Sequence, residues 1–205
     1  MQRLLQELKN LRGSTLVLTH SLADVDSVSS AIVLGRILSW LKKPCDIHCI
    51  DSLNSSSKHL LKEIGFELLL PFEGKLSKYS NIIFVDVSNP DLLSDFPKKL
   101  SSYRGRVYCI DHHYHSNHLH TRYSFIAPHY AASSLIVFDL AKELNYSLNS
   151  REAFLLAAGV VSDTAFFKSA DNSCFKKFSE LLEYGVDYRR LLTLFASAPR
   201  LDEKL

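Results

Sequence analysis

The chain has 205 residues, 46 % of them hydrophobic and 22 % charged, which excludes a disordered or collagen-like polymer and allows one domain with a sizeable core. A formal net charge of +2 is too small to demand nucleic acid as an obligatory partner, although a local metal site could still supply the positive field a short nucleotide needs. No apolar run approaches the roughly 18 residues of a membrane span, and the opening MQRLLQELKNLRG has no apolar signal core. A soluble, cytoplasmic protein with no membrane partner is therefore the expectation.

Leu4, Leu5, Leu8 and Leu11 recur at helical spacing, with Gly13 placed to stop the helix. Residues 15–19 have the length and content of a buried strand, 26–41 read as a helix ended before Pro44, 47–50 as a strand, and 55–64 as a helix stopped at Gly65. Residues 82–85, β-branched or aromatic throughout, are the clearest strand and are expected at the centre of the sheet. A further strand is expected at 106–110 and a short extended stretch at 125–126. Helices then follow at about 131–144, 150–161, 172–184 and 187–195, expectations drawn from the same periodicity. Strands alternating with helices predict an α/β fold, a parallel sheet with helices on both faces and a helical C-terminal part. In such sheets ligands bind beyond the carboxyl ends of the strands.

That edge is where the acids and histidines fall. His20, Asp24 and Asp26 follow the first strand, Asp86 follows the strand at 82–85, and Asp111, His112 and His113 follow the strand at 106–110. Asp163 closes an apolar helical stretch, where the helix dipole disfavours negative charge and a bound cation would offset it. Either Asp24 or Asp26 alone could be a helix cap. A cap gives no reason for His20, however, and carboxylates with imidazole suit divalent ions, tilting toward Mn²⁺. Without ions, so many acids in one cleft would repel and raise their own pKa values. His115, His118 and His120 read as loop background. Cys45 and Cys49 lack the second pair a zinc knuckle shows, and Cys109 reads as a buried thiol. The first strand-to-helix turn carries no glycine, which argues against a dinucleotide fold.

The motifs HSLADVDS (20–27), VDVSNP (85–90), DHHYH (111–115) and GVVSDTAFF (159–167), in that order, resemble the four motifs of the DHH phosphoesterase superfamily. That superfamily includes RecJ-type exonucleases, family II inorganic pyrophosphatases, cyclic-dinucleotide phosphodiesterases and the oligoribonuclease/pAp-phosphatase group. The resemblance implies two divalent metal ions, Mn²⁺ first, with Mg²⁺ or Co²⁺ also expected to serve. His20 and Asp24 would hold one ion, Asp26, His112 and Asp163 the other, and Asp86 would bridge. Asp111 would hold the ligands or their loop in place, and His113 would face the substrate phosphate as donor or general acid. The implied substrates are short oligonucleotides, cyclic dinucleotides or nucleotide bisphosphates.

Val87 stands where the pyrophosphatases carry a histidine, so pyrophosphate or polyphosphate is the alternative substrate. Residues 131–134 resemble a serine-containing helix start, open to two readings: a phosphate contact or ordinary capping. A non-catalytic scaffold would be expected to have lost ligands, whereas all six positions are filled. The resemblance also implies a C-terminal substrate-binding domain, so 1–196 is expected to be the catalytic domain and 197–205 a linker toward a domain missing here. An oligomer is compatible with all of this.

Overall fold

A computed structural model describes residues 1–114, 117–119 and 121–197. Its centre is one sheet of five parallel strands: β1 (Thr15–Leu18), β2 (Cys45–His48), β3 (Asn81–Val85), β4 (Arg106–Asp111) and β5 (Tyr123–Ile126), in the order β2-β1-β3-β4-β5. The clearest strand of the sequence, β3, is the middle one. All pairings are parallel: Thr15 lies opposite both Cys45 and Asn81, and Asn81 opposite Arg106. Every strand therefore ends at the same edge. The chain leaves β1 toward β2 on one side and returns to β3 on the other, so the direction of winding reverses between β1 and β3. A crevice at that reversal is the usual ligand position of such sheets.

Alternate strand residues enter two cores. Val17, Ile83, Val85, Tyr108 and Ile110 face a large core. It is built with α1 (Gln2–Lys9), α2 (Val25–Trp40), α3 (Ser55–Ile64), α5 (Ser133–Glu143), α6 (Ser150–Asp163), α7 (Asn172–Leu182) and α8 (Tyr188–Ser197). Leu16, Leu18, Ile82 and Phe84 face a smaller core closed by α4 (Phe96–Leu100), by 3-10 turns at Leu76–Lys78 and Pro90–Leu93, and by Phe72. Both faces are covered, as two-sided apolar strands require, but very unequally. The cover on the small side went unread in the sequence because α4 is too short to show a period. The strand expected at 47–50 lies at Cys45–His48, where it pairs with β1. The expected linker falls on residues 198–205, outside the described part, except that Ser197 ends α8. No helix among the described residues is long and apolar enough to cross a membrane.

Local chemistry sets most helix ends. Asp24, Asn54 and Asp171 cap α2, α3 and α7 through their side chains, Asn149 and Glu152 form a capping box on α6, and Gly65 in the left-handed region closes α3. The start of α5 differs: Ala132 offers no side-chain oxygen, and its partner comes from α2.

Helix α2 is buried along most of its length, between the sheet and the pair α5 and α6. Gly159 makes that approach possible. A Cβ there would overlap the Ser134 hydroxyl and stand 2.6 Å from Asp26 Oδ1. In an open helix, replacing glycine with alanine stabilises by about 0.5–1 kcal/mol. Here Gly159→Ala is expected to destabilise by about 1–3 kcal/mol through overpacking, read from the urea midpoint; a stabilised variant would contradict the close contact.

Candidate metal centre

The residues singled out in the sequence converge at the reversal between β1 and β3. Among the described residues, three groups of potential ligand atoms occur, the atoms of each within 4.8 Å of one another: His20, Asp24 and Asp86; Asp26, His112 and Asp163; and Asp86, His112 and His113. Asp86 belongs to two of them, which is the arrangement a shared carboxylate needs.

Each side chain is held by its own element. His20 leaves β1, and its Nδ1 lies 2.7 Å from the Ser21 carbonyl, which orients Nε2 toward Asp24 Oδ1 at 3.7 Å. Asp24 is both the cap of α2, accepting from Ser27 N at 2.9 Å, and a member of the cluster. The two readings of that residue are therefore compatible. Asp26, in the first turn of α2, is fully buried and faces α5: its carboxylate accepts from Ser133 N at 2.6 Å and Ser134 N at 2.9 Å. The serine-containing start of α5 thus neither caps itself nor stands open for a phosphate. Its N–H groups are taken by Asp26, and the Ser133 hydroxyl donates to Asp86 Oδ1 at 2.8 Å.

Asp86 is buried and sits at φ 62°, a left-handed conformation that aspartate tolerates better than most residues. This turn lifts the chain out of β3 directly at the crevice. His112 donates from Nδ1 to the Tyr130 carbonyl at 3.2 Å, which leaves Nε2 directed at Asp163 Oδ2 (3.0 Å) and Asp86 Oδ1 (3.5 Å). Asp111 accepts from both the backbone N–H and Nδ1 of His113, at 3.1 and 2.9 Å. Asp163 is the last residue of α6, and Thr164 fixes the turn that follows, donating to the Val160 carbonyl and accepting from Phe167 N. Ala165, Phe166 and Phe167 are all left-handed. This conformation costs about 1–2 kcal/mol per residue, and the Phe167 ring packs on Phe178 at 4.7 Å to hold it.

The electrostatics carry the mark of crowding. Burial, reinforced by Asp163, pushes the Asp26 carboxyl up to about 6. Burial and the neighbouring carboxylates of Asp26, Asp24 and Asp163 hold Asp86 well above the usual range. Burial works against the His112 imidazolium, but Asp163 and Asp26 outweigh it and raise the ring to about 9. Burial would lift Asp24 and Asp111, yet the hydrogen bonds from His20 and His113 draw both below the ordinary value. Among the described residues, the buried Asp86 Oδ2 has no hydrogen-bond partner. An orphaned buried polar atom is costly, and this one belongs to the carboxylate that two of the ligand groups share. The donor set, oxygen-rich with imidazole, fits divalent cations.

Some supporting residues were not read from the sequence. Asp51 accepts from Leu22 N at 2.9 Å and from the Ser94 hydroxyl at 3.0 Å, and Ser94 meets Ser21 at 2.7 Å. The network pins the His20 loop to two other loops. An acid just past β2 was the available signal, the same one used after three other strands. Val87, although next to Asp86, turns its side chain into the small core, so its identity speaks to packing more than to the site. His115 and His120 lie outside the described residues.

The model of the DHH family, N-terminal domain, matches residues 14–160, and the chain belongs to that family. The NrnA of Thermus thermophilus, named a bifunctional oligoribonuclease and PAP phosphatase, is 28 % identical over 196 residues, covering 93 % of this chain and 56 % of that protein. A Lactobacillus delbrueckii protein named "Probable manganese-dependent inorganic pyrophosphatase" is 23 % identical over 178 residues, covering 85 % and 56 %. An exopolyphosphatase-related protein from Bacteroides fragilis shares the fold, with a TM-score of 0.83 at 18 % identity, over 98 % of this chain and 62 % of that one. The chain spans about half the length of these curated relatives.

The raised groups fix a sign. Asp26 and His112 bind protons more tightly folded than unfolded, so the stability they contribute without metal is present at low pH. It is lost as pH rises through about 6 for Asp26 and about 9 for His112. A divalent ion replaces those protons. The rise in melting temperature on adding Mn²⁺ is therefore expected to be larger at pH 8 than at pH 6; an equal or smaller rise at pH 8 would contradict the placement of the ion among these groups.

Proposed function

We propose that the chain is the catalytic part of a two-metal phosphoesterase, with Mn²⁺ as the first expected ion. Its substrates would be the phosphodiester or phosphomonoester bonds of short oligonucleotides, cyclic dinucleotides or nucleotide bisphosphates. The observation that carries this reading is the buried Asp86 carboxylate, shared by two ligand groups and with Oδ2 lacking a partner among the described residues, inside a cluster of four carboxylates and three imidazoles. His20, Asp24 and Asp86 would hold one ion, and Asp26, His112 and Asp163, with Asp86, the other. The ions would supply Lewis acidity toward the phosphoryl oxygens and lower the pKa of an attacking water.

The protein's own groups do the rest. The Tyr130 carbonyl keeps Nδ1 of His112 protonated, so that Nε2, on giving up its own proton, would present a lone pair to an ion. The N-terminus of α5 holds Asp26 as a carboxylate acceptor, and the Ser133 hydroxyl fixes the rotation of Asp86. Asp111 holds Nδ1 of His113, which gives the half-exposed ring a set orientation, suited to donating a hydrogen bond or proton to a phosphate oxygen or leaving group.

A second reading, hydrolysis of pyrophosphate or polyphosphate, draws support from the Lactobacillus relative and from the burial of Val87, which weakens the contrast at that position. The filled ligand set argues against a scaffold without chemistry.

Hydrolysis of bis-p-nitrophenyl phosphate, a dinucleotide and pyrophosphate should be compared with Mn²⁺ present. The proposal expects metal-dependent turnover of the first two, lost by more than about a hundredfold in Asp86→Ala. Turnover of pyrophosphate alone would favour the second reading, and turnover unaffected by Asp86→Ala would reject the site.

A further inference from the structure

The smaller face of the sheet carries a cavity of about 580 Å³ beside β4, away from the cluster of acids. Its lining combines Pro90, Tyr103 and Leu119 with Arg106, Arg122 and His118. Among the described residues, no acid lines it. Neither guanidinium has an ion-pair or hydrogen-bond partner among the described residues, unlike Arg3 and Arg190, which lie over aromatic rings.

The wall is built rather than incidental. The Tyr103 hydroxyl donates to the Tyr79 carbonyl at 3.2 Å, and the ring passes over Gly105, where any Cβ would overlap it and stand 2.7 Å from the Ser80 carbonyl. Leu119 N donates to the Ser88 carbonyl at 2.8 Å, tying the loop that follows His113 to the loop that follows Asp86. Pro90 is four residues beyond Asp86, so the near wall lies at most about 14 Å of chain from the metal cluster. An apolar, aromatic lining that also carries unpaired arginines is the combination that takes a nucleobase and its phosphates.

We infer that this cavity is a second nucleotide site, receiving a base against Tyr103 and Pro90 and phosphates on Arg106 and Arg122, which stand at the amino ends of β4 and β5, with Pro90 toward the metal centre. The inference rests on the oligonucleotide reading of the substrate. It gives that reading a specificity element which pyrophosphate does not need, and it uses His118, one of the histidines that the sequence left as background.

The test is the binding of fluorescein-labelled triadenylate, followed by anisotropy in EDTA, so that the metal centre contributes little. The wild-type chain is expected to bind under these conditions. The double variant Arg106→Ala/Arg122→Ala is expected to bind at least about tenfold more weakly, with the slope of log affinity against log salt reduced by about 1.4, or ~0.7 for each lost phosphate contact. Arg106→Lys/Arg122→Lys should retain most of the affinity and the salt slope, which separates lost charge from a misfolded variant. No binding by the wild type in EDTA, or a double alanine variant that binds as well as the wild type, would overturn the inference. Hydrolysis is read separately: a chain that binds triadenylate through the arginines but cleaves nothing would reject the proposed activity and keep the site.

Discussion

Two carboxylates buried beside a third define this molecule. Asp26 and Asp86 are removed from water and face Asp163 at the one place where the winding of the sheet reverses. Burying one unpaired carboxylate is expensive, and burying two together is worse, because each also repels the other. The surrounding structure can be read as the response. The N-terminus of α5 gives two backbone N–H groups to Asp26, Ser133 gives its hydroxyl to Asp86, and His112 stands 3.0 Å from Asp163. Even so, among the described residues Asp86 Oδ2 remains without a partner. The compensation is incomplete at the carboxylate shared by two of the ligand groups.

The same constraint explains features that look unrelated to chemistry. Helix α5 begins without a side-chain cap of its own because a carboxylate from α2 already occupies its first N–H groups. Gly159 is a glycine in mid-helix, where that residue ordinarily weakens a helix, because α6 must pass close over Asp26 and Ser134. Left-handed backbone occurs at Asp86 and in the turn that follows Asp163, beside two of the acids. Strain held in place by its surroundings at such positions is characteristic of functional sites.

The strands and the acids at their ends were legible in the sequence because both signals are local. A run such as Ile82-Ile-Phe-Val85 declares a buried strand, and the residue after it then lies at the edge where parallel sheets bind ligands. The order of four motifs added what no single motif held. What stayed hidden depends on contacts between distant segments. Ser133 and Ser134 could be read as a cap or a phosphate contact, and only the packing of α5 on α2 assigns them to Asp26 and Asp86. Asp51 stood after a strand like the other acids, but its partners Leu22 and Ser94 are far from it in sequence. Val87 reads as a contrast with the pyrophosphatases, yet the left-handed turn at Asp86 breaks the alternation of β3 and puts Val87 in the small core with Ile82 and Phe84. Helix α4, with five residues and a proline, is too short for periodicity to reveal.

The most direct measurement is an anomalous difference map from crystals of the chain soaked in Mn²⁺. Two peaks are expected, one against His20 and Asp24 and the other against Asp26, His112 and Asp163, with Asp86 in contact with both. A map with no peak at the cluster, or a single peak that leaves Asp86 untouched, would contradict the shared-carboxylate centre.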